Sequence, residues 1–214
     1  MFRLKHPANP ARALRALVPL AEGFEETEAV TIIDLLRRAD IQVVIAGLTA
    51  GAVMGGHGIA VVPDKSLHAI ADQDFELVVL PGGQAGADHL AGDLQLRALL
   101  CAAHKNGALI GAICAGPRVL ARADLLGGRR VTSFPGALDD CKPANWRYRN
   151  RPVVVDGPFV TSRGPGTAIE FTLTLIAMAA GGERRRSVEE RLMRMRIFQK
   201  KYPAKERPPP RLQA

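Results

Sequence analysis

The sequence predicts an α/β domain built as a doubly wound parallel sheet with helices on both faces. Strand-length apolar runs and helix-length stretches alternate from residue 13 to about 181. The apolar runs are also continuous rather than alternating, as expected of parallel strands buried on both faces. The strand candidates are 16–20, 43–48, 77–80, 109–113 and 131–134. The helix candidates are 25–39, 84–106 with a break near Gly92, 115–126 and 166–180. From Pro152, PVVVDGPFVTS adds a short antiparallel hairpin that turns at Asp156-Gly157. Pro19 conflicts locally with the first strand. It lacks an amide donor, so it should sit near the strand's end or where no partner waits.

The composition fits one packed domain over 13–182, flanked by basic segments 1–12 and 183–214. Of 214 residues, 47% are hydrophobic but only 5% aromatic, so Leu, Val, Ile and Ala must fill the core. No apolar run approaches the ~18 residues that span a bilayer, so no membrane role is expected. The opening MFRLKHPANPAR has basic residues without the apolar stretch of a secretory signal. Cys101, Cys114 and Cys141 are odd in number and lack CxxC spacing, which argues against a disulfide framework or a zinc site. A reducing, cytoplasmic setting follows, with Cys101 and Cys141 as small buried apolar residues. The net charge of +8 belongs to the ends: 183–214 carries eleven Lys/Arg against four Asp/Glu, and 1–12 adds three cations, leaving 13–182 slightly acidic. The segment after 182 is expected to form a helix with Val188, Leu192, Met195 and Phe198 in one stripe on the core. PAKERPPPRLQA cannot continue that helix. The basic tail could add weak nucleic-acid contact.

Three short stretches carry chemistry. LIGAICAGP, residues 109–117, runs a buried strand straight into Cys114 and opens a helix at Pro117. Small neighbours allow a sharp elbow at the carboxyl edge of the sheet, where open α/β folds bind ligands. Helix-N-terminal amides there are expected to lower the thiol's pKa and make it a nucleophile. LPGG, residues 80–83, ends another strand, and the Gly83 and Ala115 amides could form an oxyanion hole. AEGFEETEA, residues 21–29, holds four carboxylates, more than capping needs, and one turned inward could share a proton with the thiol.

Together these stretches resemble the DJ-1/PfpI superfamily in its DJ-1-like branch. RALVPLAEGFEETEAV, ADIQVVIAGL, ELVVLPGG, GAICAGP and TSRGPGTAIEF occur in that group's order, and EETEAVTIIDLLRR and VTSFP follow the style of its bacterial homologues. The resemblance implies a flavodoxin-like sandwich, a homodimer, and no metal or nucleotide cofactor. It implies that Cys114 is the oxidisable nucleophile and Glu28 the protonated partner of its thiolate. It further implies that Gly83 and Ala115 supply the oxyanion hole, and that Glu25, Gln84, Arg163 and Pro165 line the pocket. Phe134 stands where some members have histidine, so no Cys–His–Glu arrangement carries over. Ala115 replaces the histidine of the peptidase-like branch, which weighs against proteolysis. His57 stands where the pattern usually has arginine; it could face the site from the same or the partner chain, but is read first as a loop residue without a catalytic role.

Two functions fit these expectations. One is a cofactor-free, cysteine-dependent glyoxalase or deglycase acting on methylglyoxal or its adducts. The other is an oxidative-stress sensor or redox-regulated chaperone using the same cysteine.

Overall fold

Strand β1 (Arg15–Leu20) leads through helix α1 (Glu26–Arg38) to β2 (Gln42–Gly47), which pairs parallel with β1 as a first βαβ unit. The computed structural model describes residues 14–141 and 143–193. A small antiparallel ribbon follows, β3 (Val53–Met54) with β4 (Ala60–Val61), and then an edge strand, β5 (Lys65–Ser66). Next come β6 (Leu77–Leu80), α2 (Gln84–Gly92), α3 (Leu94–Lys105), β7 (Leu109–Ile113) and α4 (Pro117–Arg122). The chain closes with β8 (Arg130–Val131), β9 (Arg147–Tyr148), β10 (Val153–Asp156), β11 (Phe159–Ser162), α5 (Ala168–Ala180) and α6 (Gly182–Arg191). The main sheet has the order β10-β11-β7-β6-β1-β2-β5, all parallel except the β10–β11 hairpin. This is the expected doubly wound α/β architecture, hairpin included.

Successive residues of a strand point to opposite faces, and the core divides accordingly. Leu17 joins Leu80, Leu100, Leu120 and Phe159 on one face, while Val18 joins Ile32, Leu36, Phe171 and Leu175 on the other. Gly111 in β7 sets how closely α5 approaches. A Cβ there would lie 2.9 Å from both Phe171 Cζ and Leu175 Cδ1. Pro19 pairs within the β1–β2 register, whereas the β1–β6 register ends at Leu17, two residues earlier. The helical stretch 84–106 breaks at Asp93, whose extended backbone ends α2 and whose carboxylate caps α3 by accepting from the Leu96 amide at 2.7 Å.

Three expectations need correction. Residues 131–134 do not add a strand to the main sheet. Only Arg130–Val131 pairs, and its partner is β9. Beyond it the backbone is drawn to other partners: the Thr132 amide donates to Thr161 Oγ1 at 2.9 Å and the Phe134 amide to Cys114 O at 2.9 Å. The helix expected over 115–126 is shorter, ending where Asp124 takes a left-handed φ of 61°. Cys101 and Cys141 are half-buried rather than buried, with Cys101 Sγ 3.6 Å from Ala123 O and Cys141 Sγ 3.6 Å from an Arg118 nitrogen. In α6, Val188 is fully buried and Leu192 packs on the same layer as α5. Met195 and Phe198 lie outside the described residues.

Phe171 is fully buried between α5 and Gly111. Phe171→Ala should therefore lower unfolding free energy by about 3–5 kcal/mol in equilibrium denaturation. A loss below about 1 kcal/mol would contradict this packing.

Candidate active site

The strand β7 ends at Ile113, and Cys114 follows at a φ of 61°. A non-glycine residue takes this left-handed conformation only when its surroundings hold it there. They do so from both sides: the Cys114 amide donates to Ser162 O at 3.0 Å, and its carbonyl accepts from the Phe134 amide. Gly116 makes the turn possible, since a Cβ there would lie 2.5 Å from Leu80 O. The chain is thus folded against the end of β6 before α4 begins at Pro117.

Glu28 arrives from α1. The Glu25 side chain caps that helix, accepting from the Glu28 amide at 2.6 Å, and this turns Glu28 inward, where it has no solvent exposure. Glu28 Oε2 accepts from the Gly82 amide at 2.7 Å. Oε1 is also buried, and it meets no strict hydrogen-bond geometry with any other group among the described residues. The Cys114 side chain lies within its reach and interacts with the carboxyl. Gly82 is the spacer: a Cβ there would sit 2.5 Å from Cys114 Cβ and 2.7 Å from Glu28 Oε2. Gly83, at a φ of 86°, directs its amide to the Cys114 sulfur, as does Ala115.

The electrostatics of the pair follow from its burial. Burial pushes the Glu28 carboxyl up to about 7, against the pull of the Gly82 amide and the Cys114 contact. Burial first, and then the Glu28 charge, push the Cys114 thiol up to about 12, while the Gly83 and Ala115 amides pull it down. This reverses the lowered thiol pKa expected from the sequence. Desolvation disfavours the thiolate, and a buried carboxylate beside it disfavours a second charge. The two values belong to the pair rather than to either group. Below about 7 the pair is therefore uncharged, and above it the pair keeps one proton and carries one negative charge.

The DJ-1/PfpI family pattern matches residues 14–178. Protein dj-1beta of Drosophila melanogaster is 42% identical over 183 residues, covering 83% of this chain and 96% of that protein. The chain belongs to the DJ-1/PfpI family. Among the family's solved structures, that of Drosophila DJ-1beta superposes with a TM-score of 0.81 at 40% identity, covering 85% of this chain and 98% of the other. Oxidized Toxoplasma gondii DJ-1 superposes with a TM-score of 0.80 at 37% identity, with coverage of 85% and 98%. A relative from Caenorhabditis elegans, glutathione-independent glyoxalase DJR-1.2, is 35% identical over 167 residues, covering 78% of this chain and 89% of its own.

The remaining residues expected in the DJ-1-type pocket divide. Cys114, Glu28, Gly83, Ala115 and Glu25 form one cluster. Gln84 is exposed, and its amide turns along α2 to Asp88 Oδ2 at 3.1 Å rather than toward the sulfur. Arg163 follows Ser162 and donates to Asn150 Oδ1, while Pro165 is exposed at the start of a 3-10 turn. Phe134 is 52% exposed, with its amide on the Cys114 carbonyl. His57 Nδ1 pairs with Glu26 Oε2 at 2.9 Å, and its ring is largely exposed.

Glu26 is the buried group that sequence reasoning did not single out. Burial would raise its pKa, but hydrogen bonds from the His57 side chain and amide, with further backbone donors, hold it down at about 2. Its signal was the excess of carboxylates in 21–29. Each of the four is engaged differently. Glu22 accepts from the Met54 amide, Glu25 caps, Glu26 binds the β3–β4 ribbon, and Glu28 faces the thiol. Glu25, Glu26 and His57 bring donor atoms within 4.8 Å of one another, a spacing a cation could bridge. The Glu26–His57 pair holds that group together by itself.

Gly82→Ala should separate carboxyl from sulfur and, by removing the Glu28 charge that holds the thiol pKa up, speed Cys114 alkylation by iodoacetamide about threefold or more. An unchanged rate would contradict the three-way contact. The raised Glu28 pKa also fixes a sign. Its folded-state value of about 7 exceeds the reference value of 4.5, so its stabilising contribution is complete below 4.5 and is lost as pH rises through about 7. Denaturation followed across that window should show a smaller fall in stability for Glu28→Gln than for wild type.

Proposed function

We propose that the protein is a cofactor-free, cysteine-dependent enzyme acting on methylglyoxal or its adducts, of glyoxalase or deglycase type. The observation that carries this reading is the buried Glu28 carboxyl set against the Cys114 side chain beside two amide donors. The Glu28 carboxylate takes the thiol proton as the sulfur attacks the aldehyde carbon, a C–S bond forms, and the aldehyde oxygen takes the electron pair. Gly83 and Ala115 amides stabilise that oxyanion until Glu28 protonates it, giving a hemithioacetal. The Glu28 carboxylate then removes the proton on the former aldehyde carbon and returns one to the neighbouring carbon, while the hydroxyl proton passes from the first oxygen to the second, leaving a lactoyl thioester. Water cleaves the thioester, lactate leaves, and the sulfur is regenerated. A carboxyl that titrates near 7 suits this shuttle, because it can donate and accept at neutral pH. The glyoxalase named among the relatives supports the class of reaction.

A second reading is favoured by one comparison, the oxidized state of the Toxoplasma relative. Hydrogen peroxide would convert Cys114 to a sulfenate and then a sulfinate, whose oxygens would take the same amides and the Glu28 proton. The two uses share every group and are separated by turnover. We also propose that the chain pairs as a homodimer. Val30 on α1, Met54 on β3, and Ile59 and Val62 beside β4 are large apolar side chains left exposed. Light scattering should give twice the chain mass, and Val62→Asp should shift it toward one.

Lactate production from methylglyoxal should disappear in Cys114→Ser and fall about 100-fold or more in Glu28→Gln. Wild-type protein that makes no lactate above a free-thiol control, yet takes up oxygen selectively at Cys114 under limiting peroxide, would replace the enzyme reading with the sensor.

A further inference from the structure

Between residues 143 and 165 the chain carries four arginines, Arg147, Arg149, Arg151 and Arg163, against one acid, Asp156. Asp156 is taken: it accepts from the Arg130 amide at 2.7 Å and from its guanidinium. Among the described residues, none of the four arginines has a carboxylate at ion-pair distance, whereas Arg118, Arg130, Arg184 and Arg185 each do. Four unneutralised cations in one stretch leave a local field that calls for an anion.

Their position ties them to the nucleophile. The Arg147 amide donates to Arg129 O and the Arg149 amide to Val131 O, each at 2.8 Å, which fixes this strip beside β8. Tyr148 reaches over to donate to Ser133 O at 3.3 Å, and the next residue, Phe134, holds the Cys114 carbonyl. Trp146 packs on the core and meets the Tyr148 ring edge-on at 5.9 Å, which pins the strip. From the other side, Arg163 follows Ser162, whose carbonyl accepts from the Cys114 amide, and its guanidinium is held by Asn150. Arg147, Arg149 and Arg151 are exposed and Arg163 half-buried, so the strip forms a rim one or two residues removed from the groups that clamp Cys114.

We propose that this rim recognises a phosphate group, and that the site takes small phosphate-bearing carbonyl compounds in preference to uncharged ones. The inference rests on the enzyme reading above and narrows its substrate class. Guanidinium is the side chain whose planar fork matches phosphate oxygens in pairs. Arg147 on β9 and Arg149 just past its end stand two residues apart along extended backbone, roughly 7 Å, so a single phosphate can be approached by neighbouring forks. One carboxylate product would be served by Arg163 alone and leaves the other three unexplained.

The test compares alkylation of Cys114 by iodoacetate, an anion, and by iodoacetamide, its neutral analogue, read peptide by peptide in the mass spectrometer. The ratio of the two rates should fall roughly threefold or more in an Arg149→Gln/Arg151→Gln variant. Inorganic phosphate and adenosine monophosphate should lower the wild-type ratio, and chloride at matched ionic strength should do so much less. An unchanged ratio in the variant, or chloride matching phosphate, overturns the proposal. Single-stranded oligothymidylate acting at far lower phosphate concentration than adenosine monophosphate overturns the small-ligand assignment in favour of a polynucleotide. Because the ratio is read without turnover, a protein that made no lactate but kept the preference would lose the enzyme reading and retain the rim.

Discussion

A carboxyl group without solvent access lies against a thiol, and much of the surrounding chain is shaped to let both be there. Burying one titratable group is costly, and burying two of like charge costs more, unless a proton is kept between them. The Glu28–Cys114 pair resolves this by keeping the thiol protonated through neutral pH and the carboxyl protonated up to about 7. Gly82 gives the two side chains room, Gly116 lets the elbow close on Leu80 O, and Glu25 turns α1 so that Glu28 points inward. Each is a constraint of backbone or cap, and each comes from a different βα junction of the sheet.

The same constraint explains the positive φ at Cys114. A strained residue needs fixed partners, and the two carbonyl–amide contacts to Ser162 and Phe134 are supplied by the strand and the segment on either side. That use of the Phe134 amide is why residues 131–134 leave the main sheet. Closing the site takes precedence over extending a ladder. The β3–β4 ribbon is held to the opposite side by Glu26, whose low pKa of about 2 reflects the hydrogen bonds from His57 outweighing burial. Adjacent carboxyls on one helix therefore lie at opposite ends of the titration range, because one is surrounded by donors and the other by apolar groups and sulfur.

The parallel sheet was legible because its strands are uninterrupted apolar runs, and the elbow because such a run ends in Ile113-Cys114-Ala115-Gly116-Pro117. The carboxylate excess in 21–29 announced a site without revealing which residue did what, since three of the four roles depend on partners more than fifty residues away or on the ribbon. The two-residue strands β3, β4, β5 and β9 have no periodicity to detect. The direction of the thiol's pKa runs against the sequence expectation for a physical reason. Local sequence displays the amides that favour a thiolate, while the burial and the facing carboxylate that oppose it exist only in the folded chain. Gly82 carried a visible signal, the doubled glycine after Pro81, whose use became clear only when Glu28 was seen against it.

The raised titration of the Glu28 carboxyl can be observed directly by difference infrared spectroscopy across a pH titration. The account predicts a protonated carboxyl band that persists through mildly acidic pH, disappears near 7, is absent in Glu28→Gln, and shifts when Cys114 is replaced by serine. A Glu28 carboxyl that is already ionised at pH ~5, close to an ordinary glutamate, would contradict it.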